Sequence, residues 1–331
     1  MSKFRQLLKA SMKSGDTEEW IDIYVTRPIG LVVALVCGKL HIHPNAITAL
    51  SMVLGVASGY MFYHTDLRHN ILGVVLLFAA NICDSADGQL ARLTGQKTLV
   101  GRVLDGFAGD MTFFFVYLAI CLRLFFAPMP GTDIPWTIWI FVLGYLAGIM
   151  SHTSQASLAD YYRQIHLYFL KGVEGCELDD YNSQRAVYES LTWHRWLAKL
   201  FYLNYSRYCK SQERRTPMFQ QLRQTIRARQ ESAGRARLES APTWATDAAA
   251  LRRDFLHGSR PLMKYTNFLS FNSRALLIYI TCLAGCPYVY FIIEVTVYNA
   301  VYILMRHRHE ALCARIRTTY GTRQEPAPTC Q

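Results

Sequence analysis

The chain has 331 residues, of which 51% are hydrophobic and 18% charged, and its formal net charge is +11. Soluble domains carry about a quarter charged residues, so this composition is more typical of a membrane protein. The apolar residues collect in blocks, and the basic residues lie between those blocks. These features argue against a secreted disulfide scaffold, a disordered chain and a simple cytosolic enzyme. They favour an integral membrane protein with a basic cytosolic surface.

The N-terminal region, residues 1–44, is predicted to be a cytosolic start followed by an interfacial amphipathic helix. Its first twenty residues hold no long apolar core and no cleavage pattern, so we expect no cleaved signal. The segment Trp20–Leu40 is apolar but short, and charged residues, proline and glycine interrupt it. We therefore expect it to lie on the membrane rather than to cross it.

Six later blocks are long and apolar enough to cross a bilayer, which takes about 20 residues of helix. The blocks are Asn45–Tyr63, Ile71–Leu93, Gly101–Phe126, Trp136–Asp160, Phe268–Ala284 and Pro287–Met305. A Gly-Cys-Pro break separates the last two blocks. The predicted fold is thus an all-α integral membrane protein of about six transmembrane helices, four within 45–160 and two within 266–306.

The distribution of Lys and Arg predicts the orientation of these helices. The loops 63–70 and 127–135 contain one basic residue between them, Arg68, whereas the insert 161–265 and the tail 307–331 are strongly basic. By the positive-inside rule, both termini and the insert belong in the cytosol. The insert is expected to be helical, and its charge is either a solvated face or a surface for anionic lipid headgroups. No nucleic-acid reading module accompanies the arginines, so nucleic acid is not an expected partner.

Three aspartates lie inside apolar segments, where one ionised carboxylate costs roughly 2.5–3.5 kcal/mol. They are Asp84, Asp87 and Asp105. Helical spacing arranges them in two stripes: Asp84, Asp87, Gly88 and Ala91 on one helix, then Gly101, Asp105 and Gly109 on the next. The connection 94–100 is short, so the two helices form a hairpin. We expect the two stripes to face each other near its cytosolic end.

Carboxylates that face each other repel unless they are protonated or bridged by cations. Oxygen-rich clusters suit hard divalent ions such as Mg²⁺ or Mn²⁺. The small residues beside them would let a bulky ligand approach the helix backbones. A structural alternative is that the glycines pack closely and the aspartates cap loop ends, but capping does not explain Asp84 deep in an apolar run.

The pattern DxxDGxxAR, eight residues, then GxxxD resembles the signature of the CDP-alcohol phosphotransferases (CDP-alcohol phosphatidyltransferases). The matching residues are Asp84, Asp87, Gly88, Ala91, Arg92, Gly101 and Asp105. The segment His43–Thr48 resembles the PNxxT element of the same family. The resemblance covers about 27–160 and the last two crossings, and it does not extend to the insert.

This resemblance implies that an acceptor hydroxyl attacks the β-phosphorus of a CDP-linked alcohol and that CMP leaves, with two divalent cations, Mg²⁺ or Mn²⁺, bridging the pyrophosphate. It implies that the metals are held by Asp84, Asp87, Asp105 and Asp110, and that the catalytic residues are Asp105 and Asp110. It implies that substrate is bound by Asn45, Thr48, Gly88, Ala91, Arg92, Gly101 and Arg163. Arg92 and Arg163 also fit a role as interfacial anchors. Membrane lipid and a second copy of the chain, in a homodimer, are the other partners that the resemblance implies.

The chain departs from the family pattern at the last aspartate. The family has it four residues after Asp105, where this chain has Gly109, and Asp110 comes one residue later. On a regular helix Asp110 points about 140° away from Asp105. A π-bulge between the two would restore the face. Otherwise another group, or the substrate, accepts the proton, or the chain is a relative without catalytic activity.

The expected function is transfer of a phosphoalcohol group to an acceptor hydroxyl. CDP-diacylglycerol is the expected donor. An alternative is a CDP-ethanolamine or CDP-choline donor with a lipid acceptor such as diacylglycerol or ceramide. A third alternative is a non-catalytic, metal-binding membrane protein. Two further polar residues lie in predicted crossings: Glu294 is expected to pair with a polar neighbour, and His152 to be hydrogen-bonded inside the bundle.

Overall fold

The computed structural model describes residues 3–12, 14–96, 99–236 and 243–321. Within these residues the chain forms helices joined by loops and contains no β-strand, which confirms the all-α prediction. The helices fall into two compact units. The first unit comprises Met1–Ala156 and Asn267–Ala300, and the second comprises Ser157–Thr266 and Val301–Gln331.

The first unit contains the helices of the predicted membrane core. They are α1 (Lys3–Ser11), α2 (Arg27–Lys39), α3 (Pro44–Tyr63), α4 (Leu67–Thr94), α5 (Leu99–Leu124), α6 (Ile138–Tyr145), the start of α7 (Thr153–Lys171), and, after the second unit, α13 (Phe271–Leu283), α14 (Tyr288–Ile293) and the start of α15 (Asn299–Gly321). Short π-helical turns are present at Asp22–Thr26, Leu146–His152 and Glu294–Tyr298.

Four described helical segments are long and apolar enough to cross a membrane: Pro44–Tyr63, Leu67–Thr94, Val103–Leu124 and Tyr288–Tyr320. They match the first, second, third and sixth predicted crossings. The fifth, α13, has 13 residues, which at 1.5 Å per residue span about 20 Å of a core of about 30 Å. The segment from α6 into α7 carries polar side chains in its second half. Six crossings and an interfacial helix therefore remain predictions.

Helix α4, which carries two of the aspartates, and helix α3 beside it begin or end at residues typical of helix termini. Helix α3 has Pro44 in its first turn, and the Nδ1 of His43 accepts a hydrogen bond of 3.2 Å from the backbone N–H of Asn45. Helix α4 is capped by Asp66, which accepts from the backbone N–H of His69 at 3.2 Å. It ends at Gly95, whose φ of +72° is the left-handed conformation that glycine adopts readily.

Small residues bring α3 and α5 into close contact. A Cβ atom at Gly59 would lie 2.9 Å from the backbone oxygen of Phe115, and one at Gly55 would lie 2.1 Å from Thr112 Oγ1. Glycines at such positions let two membrane helices approach until their backbones touch. The contact fixes α3, which carries Thr48, against α5, which carries Asp105.

A buried ion pair lies inside the first unit. The Nε of Arg274 is 3.3 Å from Oε1 of Glu294, and the two side chains are 1% and 0% exposed. Arg274 also donates to Gln155 Oε1 at 2.6 Å, and the Tyr290 hydroxyl donates to Glu294 Oε2 at 3.0 Å. The prediction that Glu294 pairs with a polar neighbour is confirmed.

His152 continues this polar network. Its Nδ1 lies 2.8 Å from the hydroxyl of Tyr117, and that hydroxyl also forms a hydrogen bond with the hydroxyl of Tyr290. His152 is 7% exposed. The prediction of a hydrogen-bonded histidine in the bundle interior is therefore confirmed.

The second unit contains the insert, and its described residues form helices joined by short loops. Besides the ends of α7 and α15, its helices are α8 (Tyr181–Ser190), α9 (Trp196–Arg215), α10 (Pro217–Ala236), α11 (Thr243–Ser259) and most of α12 (Met263–Phe268). Aromatic stacking holds its core: Tyr162 stacks on His309 at 4.0 Å and Phe169 on Phe255 at 3.8 Å between ring centroids. Glu310 accepts a 2.7 Å hydrogen bond from the backbone N–H of Met218.

Candidate active site

The α4–α5 hairpin brings three carboxylates together. Asp84 and Asp87 come from α4 and Asp105 from α5, and one carboxylate oxygen of each lies within 4.8 Å of the other two. Asp87 is buried and Asp84 is partly exposed. The two stripes thus face each other as the helical spacing predicts. We call this group the carboxylate cluster.

A hydroxyl from α3 holds one member of the carboxylate cluster. Thr48 Oγ1 donates a hydrogen bond of 2.5 Å to Asp87 Oδ2, and both side chains are 3% exposed. Hydrogen bonds to an ionised acceptor are shorter and stronger than neutral ones. Thr48 was expected at the substrate; the structure places its hydroxyl on a carboxylate, where it orients that group.

The donor set of the carboxylate cluster fits a divalent cation. All three groups offer oxygen, the ligand that Mg²⁺ and Mn²⁺ prefer over nitrogen or sulfur. Three carboxylates at this separation repel one another unless a cation or a proton compensates them. The residues present are therefore suited to holding Mg²⁺ or Mn²⁺.

Arg92 lies beside the cluster but is engaged by the N-terminal segment. A Cβ atom at Gly88 would lie 3.3 Å from Arg92 Nη1, so the guanidinium covers that glycine. Arg92 Nε donates to the backbone oxygen of Ser11 at 2.5 Å. The neighbouring Gln89 donates to the backbone oxygen of Arg27 at 3.0 Å and to the hydroxyl of Ser11 at 3.3 Å. The C-terminal end of α1 and the N-terminal end of α2 are therefore hydrogen-bonded to α4 next to the site.

The other predicted substrate residues are less closely grouped. Ala91 and Gly101 are partly exposed on the hairpin, and Asn45 is partly exposed in the first turn of α3. Arg163 lies on α7 in the second unit, where it is half-buried. Their roles in binding stay predictions.

Asp110 lies outside the carboxylate cluster. Helix α5 is a regular α-helix from Leu99 to Leu124, so of the three readings of the sequence the π-bulge is the one that the structure contradicts. Because α5 keeps its regular hydrogen bonds, Asp110 stays about 140° away from Asp105. Its exposed side chain lines a cavity of about 440 Å³ together with Tyr117, His152 and Thr153.

A polar layer lies one helical turn before Asp84 and was missed in the sequence. Asn81 donates to Asn272 Oδ1 at 2.8 Å, and Asn272 donates to Asp22 at 2.9 Å and to Glu19 at 3.1 Å. The partners are far apart in the chain. The available signal was the presence of Asn81 and Asn272 within apolar blocks.

A second group of possible metal ligands has a structural explanation. One ligand atom each of His64, Asp66 and His69 lies within 4.8 Å of the others. Asp66 caps α4, and its hydrogen bonds with the side chain and backbone of His69 hold its pKa below the ordinary value. We assign this group to the start of α4 rather than to a site.

Comparison with known proteins finds similarity within residues 41–167. Residues 41–167 match the family model described as CDP-alcohol phosphatidyltransferase. A stretch of 67 residues is 34% identical to the archaetidylinositol phosphate synthase of Pyrococcus horikoshii, and it covers 20% of this chain and 34% of that relative. The chain thus spans about a third of the length of the curated relative it matches. The matched region contains the whole carboxylate cluster, and the match agrees with the family that the sequence resemblance indicates.

Proposed function

We propose that this protein is a membrane enzyme that transfers a phosphoalcohol group from a CDP-linked donor to an acceptor hydroxyl, with release of CMP. One observation carries the proposal: the family-matched hairpin gathers Asp84, Asp87 and Asp105 with ligand oxygens within 4.8 Å. Carboxylates grouped in this way within apolar helices can bind the divalent cations that accompany a pyrophosphate.

In this proposal Asp84, Asp87 and Asp105 hold two divalent cations, Mg²⁺ or Mn²⁺. When bound, the cations would neutralise the pyrophosphate and stabilise the entering and leaving oxygens. Thr48 keeps Asp87 oriented through its 2.5 Å hydrogen bond. Gly88 and Ala91 present little side chain, which leaves the backbone of α4 accessible to a bulky nucleotide.

CDP-diacylglycerol is the donor that we favour, because a membrane-embedded cluster suits a substrate whose tails stay in lipid. A CDP-ethanolamine or CDP-choline donor with diacylglycerol or ceramide as acceptor is the alternative. We also propose that both termini and the cluster face the cytosol, as the positive-inside rule predicts, and that the protein forms a homodimer. Protease digestion of sealed vesicles and mass measurement of the detergent-solubilised protein test these two points.

The central experiment measures CMP release by the full chain in lipid nanodiscs, with CDP-diacylglycerol or CDP-ethanolamine, a panel of alcohols, and Mg²⁺ or Mn²⁺. We expect CMP from one donor and none after Asp84→Asn. The matched control is Asp66→Asn on the same helix, since asparagine also caps a helix. Failure of every donor to yield CMP would contradict the enzymatic proposal and favour a non-catalytic, metal-binding protein.

Asp110 is the candidate proton acceptor that the family pattern leaves, although it lines a cavity beside His152 rather than the cluster. If it accepts the proton from the acceptor alcohol, Asp110→Asn abolishes turnover while donor binding persists. Full turnover in Asp110→Asn assigns the proton to another group or to the substrate. Asp105→Asn, which also removes a metal ligand, is expected to lose both.

A further inference from the structure

The corner between α8 and α9 exposes an unusual group of large apolar side chains. Trp193 is 74% exposed, Trp196 57%, Leu197 65% and Leu200 50%. Trp196, Leu197 and Leu200 lie on one side of the first turns of α9, and Trp193 lies in the 3₁₀ turn that precedes this helix. A contiguous apolar patch of this kind on a protein surface marks an interaction site. We call residues 191–200 the hairpin tip, meaning the tip formed by α8 and α9 and not the α4–α5 hairpin that carries the aspartates.

Among the described residues of the second unit, the large apolar side chains of the hairpin tip are not part of the packed core. Helix α8 buries none of its residues. In α9 the buried residues are Ser206, Cys209 and Gln212, all in its second half. The first half, WLAKLFYL, is nevertheless almost entirely apolar. A core-packing role therefore does not account for these side chains.

Two basic side chains, Lys199 and Arg195, lie among the apolar residues of the hairpin tip. Lys199 Nζ donates to the backbone oxygen of Leu191 at 2.7 Å and lies 5.1 Å from the ring centroid of Trp193 and 5.0 Å from that of Tyr188. Arg195 is exposed between the two tryptophans. The cation–π contacts hold the ring of Trp193 in place without covering it.

We propose that the hairpin tip inserts into the surface of an anionic lipid bilayer, with Trp193, Trp196, Leu197 and Leu200 among the headgroups and upper acyl chains. Tryptophan is the residue most suited to the boundary between hydrocarbon and water. The neighbouring arginine and lysine complement anionic headgroups, each contributing about 1 kcal/mol near such a surface. The proposal does not depend on the enzymatic activity proposed above.

Two arguments favour lipid over a second copy of the chain. The second unit is joined at both ends to segments of the predicted membrane core, so a bilayer is always present at high effective concentration. A symmetric contact between two tips would also bring Arg195 and Lys199 of both copies to one interface, and like charges there oppose association.

The first experiment locates the tryptophans of the full chain in nanodiscs that contain one copy and anionic lipid. The chain is labelled with 5-fluorotryptophan, and its ¹⁹F resonances are assigned with Trp193→Phe and Trp196→Phe variants. We expect a nitroxide on the lipid acyl chain to broaden both resonances and a water-soluble gadolinium chelate to leave them sharp. The reverse pattern would overturn the proposal.

The second experiment compares Leu197→Glu with Ser211→Glu, an exposed position on the other half of α9. Backbone hydrogen exchange of 191–200 is measured in nanodiscs that hold one copy, in nanodiscs that hold two copies, and in lipid-free amphipol. We expect lipid to slow exchange in the wild type and in Ser211→Glu, and Leu197→Glu to lose that protection while 206–212 keep theirs, which shows that α9 remains folded. Slower exchange only in discs that hold two copies would assign the tip to a protein contact and refute insertion into lipid.

Discussion

The first unit contains two groups of charged side chains inside apolar helices, and they are built in opposite ways. The carboxylate cluster gathers three groups of the same sign, with ligand oxygens within 4.8 Å. The other group pairs Glu294 with Arg274 at 3.3 Å, and both are essentially unexposed. Both groups draw further polar partners, a threonine in one case and a tyrosine and a glutamine in the other.

The difference lies in what neutralises the charge. The Arg274–Glu294 pair is compensated within the protein, so it serves the fold. In the proposed function the carboxylate cluster is compensated by cations from outside the protein, so it would serve a ligand. Buried charge alone therefore does not identify a functional site in this protein, whereas the balance of charge within the buried group does.

The largest expected effect on stability is that of Arg274→Met. Removing one partner of a buried ion pair leaves the other uncompensated and costs about 3–5 kcal/mol of unfolding free energy. Thermal or denaturant unfolding in nanodiscs measures it. The double variant Arg274→Met/Glu294→Leu is expected to recover part of the loss, and no recovery would show that the pair is not a self-compensating unit.

Asp84→Asn should reduce activity without reducing stability, the opposite of what we expect for Arg274→Met. We expect CMP release to fall by at least about 100-fold, because a ligand of the proposed cations is lost. In metal-free protein the unfolding temperature should stay the same or rise, since one of three repelling charges is gone. A clear loss of stability would mean that the cluster also serves the fold, and the contrast with the ion pair would weaken.

Divalent cations should stabilise the wild type and not Asp84→Asn. A ligand at 100 times its dissociation constant adds about 2.7 kcal/mol to the unfolding free energy. Titration of Mg²⁺ or Mn²⁺ into metal-free protein, followed by unfolding temperature, measures this effect, with Asp66→Asn as the control that keeps it. An equal shift in Asp84→Asn would place the stabilising ion elsewhere.

Thr48→Val tests the hydroxyl that orients Asp87. Loss of a partner that orients a metal ligand typically weakens metal binding by 10–100-fold, and we expect about tenfold because the carboxylate itself remains. The midpoint of the Mg²⁺ dependence of CMP release measures it. Thr48→Ser, which keeps the hydroxyl, should behave like the wild type.

Tyr290→Phe should have the smallest effect on turnover. It removes the hydrogen bonds to Glu294 and to the hydroxyl of Tyr117 but leaves Arg274 in place, and each such bond is worth about 1 kcal/mol. A small fall in unfolding temperature with unchanged CMP release is expected. An effect on turnover as large as that of Thr48→Val would show that the ion-pair network and the site are coupled.

The periodicity of the sequence was sufficient to predict the helical hairpin and the meeting of its aspartates. A helix repeats its faces in a regular way, so Asp84, Asp87 and Asp105 could be placed without knowledge of the rest of the chain. The match of residues 41–167 to the family agrees with the residues on which the resemblance rested.

Contacts between distant parts of the chain were not predictable in this way. Nothing in the local pattern links Asn81 to Asn272, or Arg92 to Ser11, because each depends on how helices pack. The π-bulge was inferred from the family pattern, yet α5 remains regular. The hairpin tip escaped notice because the charge of the whole insert concealed a short apolar run within it.

The glycines of α3 have a consequence for ion selection. Helix α3 lies against the backbone of Phe115 at Gly59 and against the side chain of Thr112 at Gly55. Because Thr48 on α3 also holds Asp87, this packing restricts how far the cluster can open for larger ions. Mg²⁺ requires oxygens at about 2.0–2.1 Å and Ca²⁺ at about 2.3–2.6 Å with more ligands. We therefore expect helix packing, and not the carboxylates themselves, to make the protein discriminate against calcium.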